Sequence, residues 1–81
     1  MRRLVKQYRE QYVKRGYYPV IKDLERVVAE EVLFGFVDIE DAEEIADSKT
    51  PFLAYTAAGF EVNKSDLKWA IMVYKRKCKQ F

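Results

Sequence analysis

The residues able to do chemistry in this chain are sorted into blocks by charge. Arg2, Arg3, Lys6, Arg9, Lys14 and Arg15 crowd residues 1–15 with only Glu10 among them, for a net charge of +5. Residues 63–81 set Lys64, Lys68, Lys75, Arg76, Lys77 and Lys79 against Asp66, again +5. Between them, residues 16–62 carry Lys22, Arg26 and Lys49 against eleven acids, for −8, so the total of +2 hides two basic ends and an acidic middle. Cations at this density bind phosphate, because they replace condensed counterions and release them. If the two ends lie side by side, their basic groups share one surface. Tyr8, Tyr12, Tyr17 and Tyr18 at one end, with Trp69, Tyr74 and Phe81 at the other, would let unpaired bases stack between the cations. The competing reading pairs the basic ends with the acidic middle, within one chain or between chains, and uses the aromatics to fill the core.

The acidic block has a pattern of its own. Glu40, Glu43, Glu44 and Asp47 recur at i, i+3, i+4 and i+7, which gathers several carboxylates on one helix face. Such a face could hold a hard cation through waters. With no EF-hand spacing and no second cluster to complete a site, the expectation is no metal and an acidic surface able to dock a basic protein. Cys78, the one cysteine, sits among Lys75, Arg76, Lys77 and Lys79, which would favour its thiolate. It also falls on an apolar stripe, where a buried structural thiol is expected. The chain has no histidine, so the usual general base and the usual metal ligand are both missing. Gly16, Gly35 and Gly59 are isolated and form no phosphate-cradling loop. No catalytic residue and no cofactor are expected. Leu33 and Phe34 with Gly35-Phe36-Val37 form an apolar run at a helix end, either a buried corner or a plug for a partner.

Composition bounds the rest. At 81 residues the chain has room for one domain, and 49% hydrophobic with 15% aromatic content is enough to fold it. Asn and Gln number four together while charged residues make up 35%, the bias associated with hyperthermophile proteins. No apolar run reaches the roughly 18–20 residues that cross a bilayer, and Met1 to Lys6 returns to charge too soon for a signal peptide. These features lead us to expect a soluble, cytoplasmic chain with no transmembrane segment.

The elements that must position these groups are mostly helical. Leu4, Val5, Tyr8 and Tyr12, widened by Val13, predict a helix over 1–15 with Gly16 closing it. Pro19 is placed to open a second helix, to about Phe34, with Ile21, Leu24, Val28 and Val32 inward and Val27 beside them. Gly35 could close that helix in the left-handed conformation, with Phe36 covering its end. Asp38 predicts an N-cap for a third helix, Ile39 to Ser48. Residues 50–62 read two ways: Thr50-Pro51 opens a short helix through Ala58, or Phe52 to Thr56 and Phe60 to Val62 form two strands around Ala57-Ala58-Gly59. The helix is the preferred expectation. Asn63 or Ser65 then starts a last helix to about Lys79, with Leu67, Ala70, Ile71, Tyr74 and Cys78 on one side. Trp69, Met72 and Val73 widen that stripe.

Residues 12–24 run Tyr12-Val13-Lys14-Arg15-Gly16-Tyr17-Tyr18-Pro19-Val20-Ile21-Lys22-Asp23-Leu24. A helix ending in Gly, then an aromatic, a Pro and an acid-Leu pair, resembles the junction of the first two helices in LexA-type winged helix-turn-helix domains. The resemblance implies a third helix, here 39–48, that enters the major groove, and a β-hairpin wing, here 51–62. The third helix departs from that pattern. It offers Glu40, Asp41, Glu43, Glu44 and Asp47 where base edges are read by Arg, Lys, Asn or Gln. Phosphate binding would then fall to the basic ends, or the target would be a basic protein surface.

The expected fold is all-α: a single helical domain over 1–81, a compact array of four to five short helices with a long C-terminal helix. A helix-turn-helix-like core with a small β-hairpin at 51–62 is the alternative. The expected function is a small non-enzymatic nucleic-acid-binding or transcription-associated protein, contacting DNA or RNA through the basic ends. Its alternative is a protein-interaction module or homo-oligomer subunit in which the acidic middle pairs with basic helices.

Overall fold

Helical spacing of apolar residues organises most of the chain, and one stretch of two-residue alternation interrupts it. The computed structural model describes the backbone of residues 1–79 and the side chains of residues 1–76. The order is α1 (Arg3–Lys14), α2 (Ile21–Leu33), α3 (Ile39–Asp47), β1 (Leu53–Tyr55), β2 (Glu61–Asn63) and α4 (Lys64–Lys79).

α1 buries Leu4, Val5 and Tyr8 along one stripe. It ends as the sequence predicts. Gly16 adopts φ +86°, its N–H donates to the Val13 carbonyl at 3.0 Å, and the Tyr17 N–H donates to the Tyr12 carbonyl at 2.9 Å. This pair of bonds is the Schellman closure, which needs a left-handed residue at that position. α2 starts at Ile21, two residues after Pro19, which stays outside the helix. Leu24, Val28, Ala29 and Val32 are buried, while Ile21, expected inward, and Val27, expected beside that face, remain more than a third exposed. Ile21 lies in the first turn, short of the core, and Val27 lies on the flank of the buried arc. Gly35 does not take the left-handed conformation. The Phe36 N–H donates to the Leu33 carbonyl instead, and Phe36 packs against the core. Asp38 occupies the N-cap position of α3 with extended backbone, but its side chain makes no capping bond.

The expected helix over 51–58 is absent, so the all-α expectation fails there and the hairpin alternative holds. β1 and β2 pair antiparallel, with Ala54 opposite Val62 and Leu53 opposite Asn63. The alternation decides it, because Ala54, Thr56 and Val62 turn inward while Leu53, Tyr55, Glu61 and Asn63 stay exposed. The loop is fixed by Thr56, whose N–H donates to the Phe60 carbonyl at 2.9 Å and whose Oγ1 accepts the Phe60 N–H at 3.2 Å. Gly59, at φ +86°, donates its N–H to the Thr56 carbonyl at 2.8 Å and supplies the left-handed residue such a loop requires.

α4 is the element on which the rest assembles. α2 packs on it most extensively, α3 lies against it, and α1 packs on α2. The fully buried side chains Leu4, Val5, Leu24, Val28 and Leu67 form the centre, extended by Trp69, Ala70 and Ile71. Tyr74 and Met72, expected on the buried stripe, are 37% and 44% exposed. Tyr8 lies at the edge of the core. Its ring meets Phe60 edge-on at 5.1 Å and its hydroxyl donates to Glu31 Oε2 at 3.4 Å. Burial holds the Tyr8 phenol above its ordinary value of 10.0; the Glu31 carboxylate adds to the rise and the Thr56 hydroxyl opposes it. The neutral phenol is therefore favoured in the folded state. Its stabilisation is complete below about pH 10, where unfolded tyrosine titrates, and fades as pH climbs through the folded value. Chemical denaturation at stepped alkaline pH checks this: the wild type loses stability above about pH 10 more steeply than Tyr8→Phe, which has no phenol to ionise.

Candidate nucleic-acid interface

The two basic ends meet, and one buried acid joins them. Asn63 caps α4: its Oδ1 accepts the Asp66 N–H at 2.9 Å, and Asp66 Oδ2 accepts the Asn63 N–H at 3.1 Å. This reciprocal pair is a capping box with acid in the first turn, where the helix dipole favours it. Asp66 is only 2% exposed. It is bridged by Arg3 at 2.8 Å and Arg2 at 3.4 Å, both from the start of α1. Arg3 also donates to the Glu61 carbonyl at 3.1 Å, which ties α1 to the hairpin. Arg2 and Arg3, expected on phosphates, are thus first of all structural. Asp66 carries this junction and was not among the expected site residues. Its signal in the sequence is its position as the lone acid of residues 63–81, three residues after Asn63.

Beyond the clasp, Arg2 reaches the flank of α4. Its guanidinium lies 5.4 Å from the centre of the Trp69 ring, a cation–π distance. Arg2, Lys64, Ser65, Lys68, Trp69 and Met72 line one open hollow of about 480 Å³. Lys68 and Met72 continue into a second hollow with Ile71, Lys75 and Arg76. On α1, residues 2, 6 and 9 fall within about 60° of one another around the helix axis. Lys6 and Arg9 are exposed and therefore extend the row that begins at Arg2.

The remaining cations of the two basic ends are distributed differently. Lys14 and Arg15 are exposed at the far end of α1, away from this row. Lys64 is used internally, its Nζ donating to the Ser48 and Thr50 carbonyls and pinning the segment between α3 and β1. Lys75 bridges Glu43 of α3 at 3.1 Å, so the acidic middle does meet a basic helix within the chain. Lys77 and Lys79, and the thiol of Cys78, lie outside the described side chains, and Phe81 lies outside the described residues. Glu40, Glu44 and Asp47 are exposed on α3. Among the described residues no group of three or more His, Cys, Asp or Glu is arranged to hold a metal ion. None of the described helices is long and apolar enough to cross a membrane.

Of the aromatics offered for base stacking, Tyr8 and Trp69 are buried and Tyr12 packs against the core. Tyr17 and Tyr18 are exposed, at the corner between α1 and α2. Comparisons with protein-family models, with curated proteins and with solved structures found no match. The reading of the site therefore rests on its own chemistry.

Proposed function

We propose that this chain is a small non-enzymatic nucleic-acid-binding protein that contacts phosphates through Lys6 and Arg9 of α1 and Lys68 and Arg76 of α4. The observation that supports this reading is the seat of Arg2 on Trp69, which sets the start of the α1 cations beside Lys68 of α4. Four exposed cations on two helices suit a backbone-following surface, and phosphate contacts of this kind position a protein without reading sequence. α3 takes no part, because Glu40, Glu44 and Asp47 would repel a duplex.

Titration against a labelled random duplex and a labelled single strand, at several salt concentrations, tests it. Binding in the micromolar range at low salt is expected, with log affinity falling by about 0.9 per phosphate neutralised. Lys6→Ala, Arg9→Ala, Lys68→Ala and Arg76→Ala should each reduce the salt slope by about 1. Absence of binding at low salt overturns the reading, as does an unchanged slope in the fourfold variant.

A second reading, an interaction module in which acidic and basic segments pair, is favoured by a separate observation. The most exposed of the large apolar side chains, Phe34 at 87% and Val37 at 94%, stand next to the acids that open α3.

A further inference from the structure

From its N-cap to its C-cap, α2 has a second apolar line that the described chain covers only in part, with Ala57 of the hairpin loop beside Val27 and Phe34. Val20, Val27 and Phe34 are spaced seven residues apart and are 64%, 37% and 87% exposed. Seven-residue spacing keeps side chains in a line along one helix flank, one of the two apolar positions per heptad of a helix–helix seam. Before the line stand Tyr17 at 64% and Tyr18 at 77% exposed, and after it Val37 at 94%. The ends differ in charge. Lys14 and Arg15 are exposed beside Tyr17, while Asp38 and Glu40 are exposed beside Val37.

We propose that α2 is the interface of a two-fold homodimer in which the α2 helices of two copies pack antiparallel along this stripe. The spacing is self-complementary about Val27, which lies midway between Val20 and Phe34 and also midway between Tyr17 and Val37. Antiparallel packing sets Val27 of one copy against Val27 of the other on the axis, and Val20 of each against Phe34 of its mate. Tyr17 of each copy then reaches the mate's hollow of about 300 Å³ beside Val37, walled by Leu33, Phe34, Phe36 and Tyr74. The charges at the two ends favour antiparallel over parallel pairing, while Asp23, Glu30 and Glu31 of α2 flank the line in either arrangement. Antiparallel helices place the basic end of each copy on the acidic end of the other, whereas parallel helices would juxtapose like charges at both ends. Two-fold closure satisfies both ends at once and leaves no open face to propagate a fibre. This deepens the second reading above and is independent of nucleic-acid binding.

Sedimentation of the full chain between about 10 μM and 1 mM tests the dimer, a range suited to the weak association that a small helix–helix contact gives. The mass should rise from 9.6 kDa toward twice that value. Val27→Glu places two carboxylates on the axis and should raise the dissociation constant at least 30-fold, about the loss of one central contact. Val27 is exposed enough for this change to leave the helix content unaltered, which circular dichroism verifies. Orientation is read by cross-linking in a Cys78→Ser background. A mixture of Val20→Cys and Phe34→Cys chains should cross-link through a short bis-maleimide, while each variant alone should not. A monomer at the highest concentration overturns the proposal, as does undiminished association of Val27→Glu. Efficient cross-linking of Val20→Cys with itself also overturns it, because that requires parallel helices. None of these outcomes depends on whether the phosphate-binding row functions.

Discussion

Asp66→Ala lowers stability by about 2–3 kcal/mol, a drop of about 10–20 °C in Tm for a domain of this size. The carboxylate is 2% exposed and serves three partners at once: Arg3, Arg2 and the Asn63 N–H. Loss of the capping bond alone costs about 1 kcal/mol. The charge-assisted bonds add the rest, moderated because the Arg2 and Arg3 side chains are 31% and 47% exposed and regain water. Asp66→Asn separates the two contributions, since its amide oxygen still accepts the Asn63 N–H. Thermal unfolding should place it between the wild type and the alanine variant. If Asp66→Asn is as damaging as Asp66→Ala, the ion pairs dominate and the cap contributes little.

Leu67→Ala is the more damaging change, at about 3–4 kcal/mol. Leu67 is fully buried on α4, the helix against which α2 and α3 pack. Truncation forfeits the transfer energy of the side chain and leaves a cavity that the packed core cannot close without moving. A domain of this length has a total stability of several kcal/mol, so the variant should be substantially unfolded at moderate denaturant. Urea unfolding checks it: the midpoint falls while the slope is retained, and a loss below about 1 kcal/mol would mean that the site collapses around alanine.

The helices were legible because their signals are local. Gly16 closes α1 as its position predicts, and the stripe of Leu4, Val5 and Tyr8 reads directly from spacing. The segment 51–58 was misread because Thr50-Pro51 is a good helix start in isolation. The hairpin wins through Thr56 and Gly59, whose bonds form only when the chain folds back. The exposure of Tyr74 and Met72 is not legible, because a wide apolar stripe does not reveal which edge a neighbouring helix will cover. The basic row was half legible. Lys6, Arg9, Lys68 and Arg76 are exposed cations as composition implied, but charge counting could not show that Arg2, Arg3, Lys64 and Lys75 already have partners inside the chain. Those partners depend on tertiary proximity, and Asp66 is the clearest case, since its importance comes from residues more than sixty positions away.

That separation also bears on the order in which the molecule assembles. Arg2 and Arg3 lie 64 and 63 residues from Asp66, so their junction closes a loop whose entropic cost must be met before the contact returns anything. The hairpin and the cap of α4 join residues within ten positions of one another and carry a smaller cost. The junction therefore belongs on the native side of the folding barrier. Weakening it should leave the refolding rate nearly unchanged and accelerate unfolding, which makes the junction a determinant of native-state lifetime.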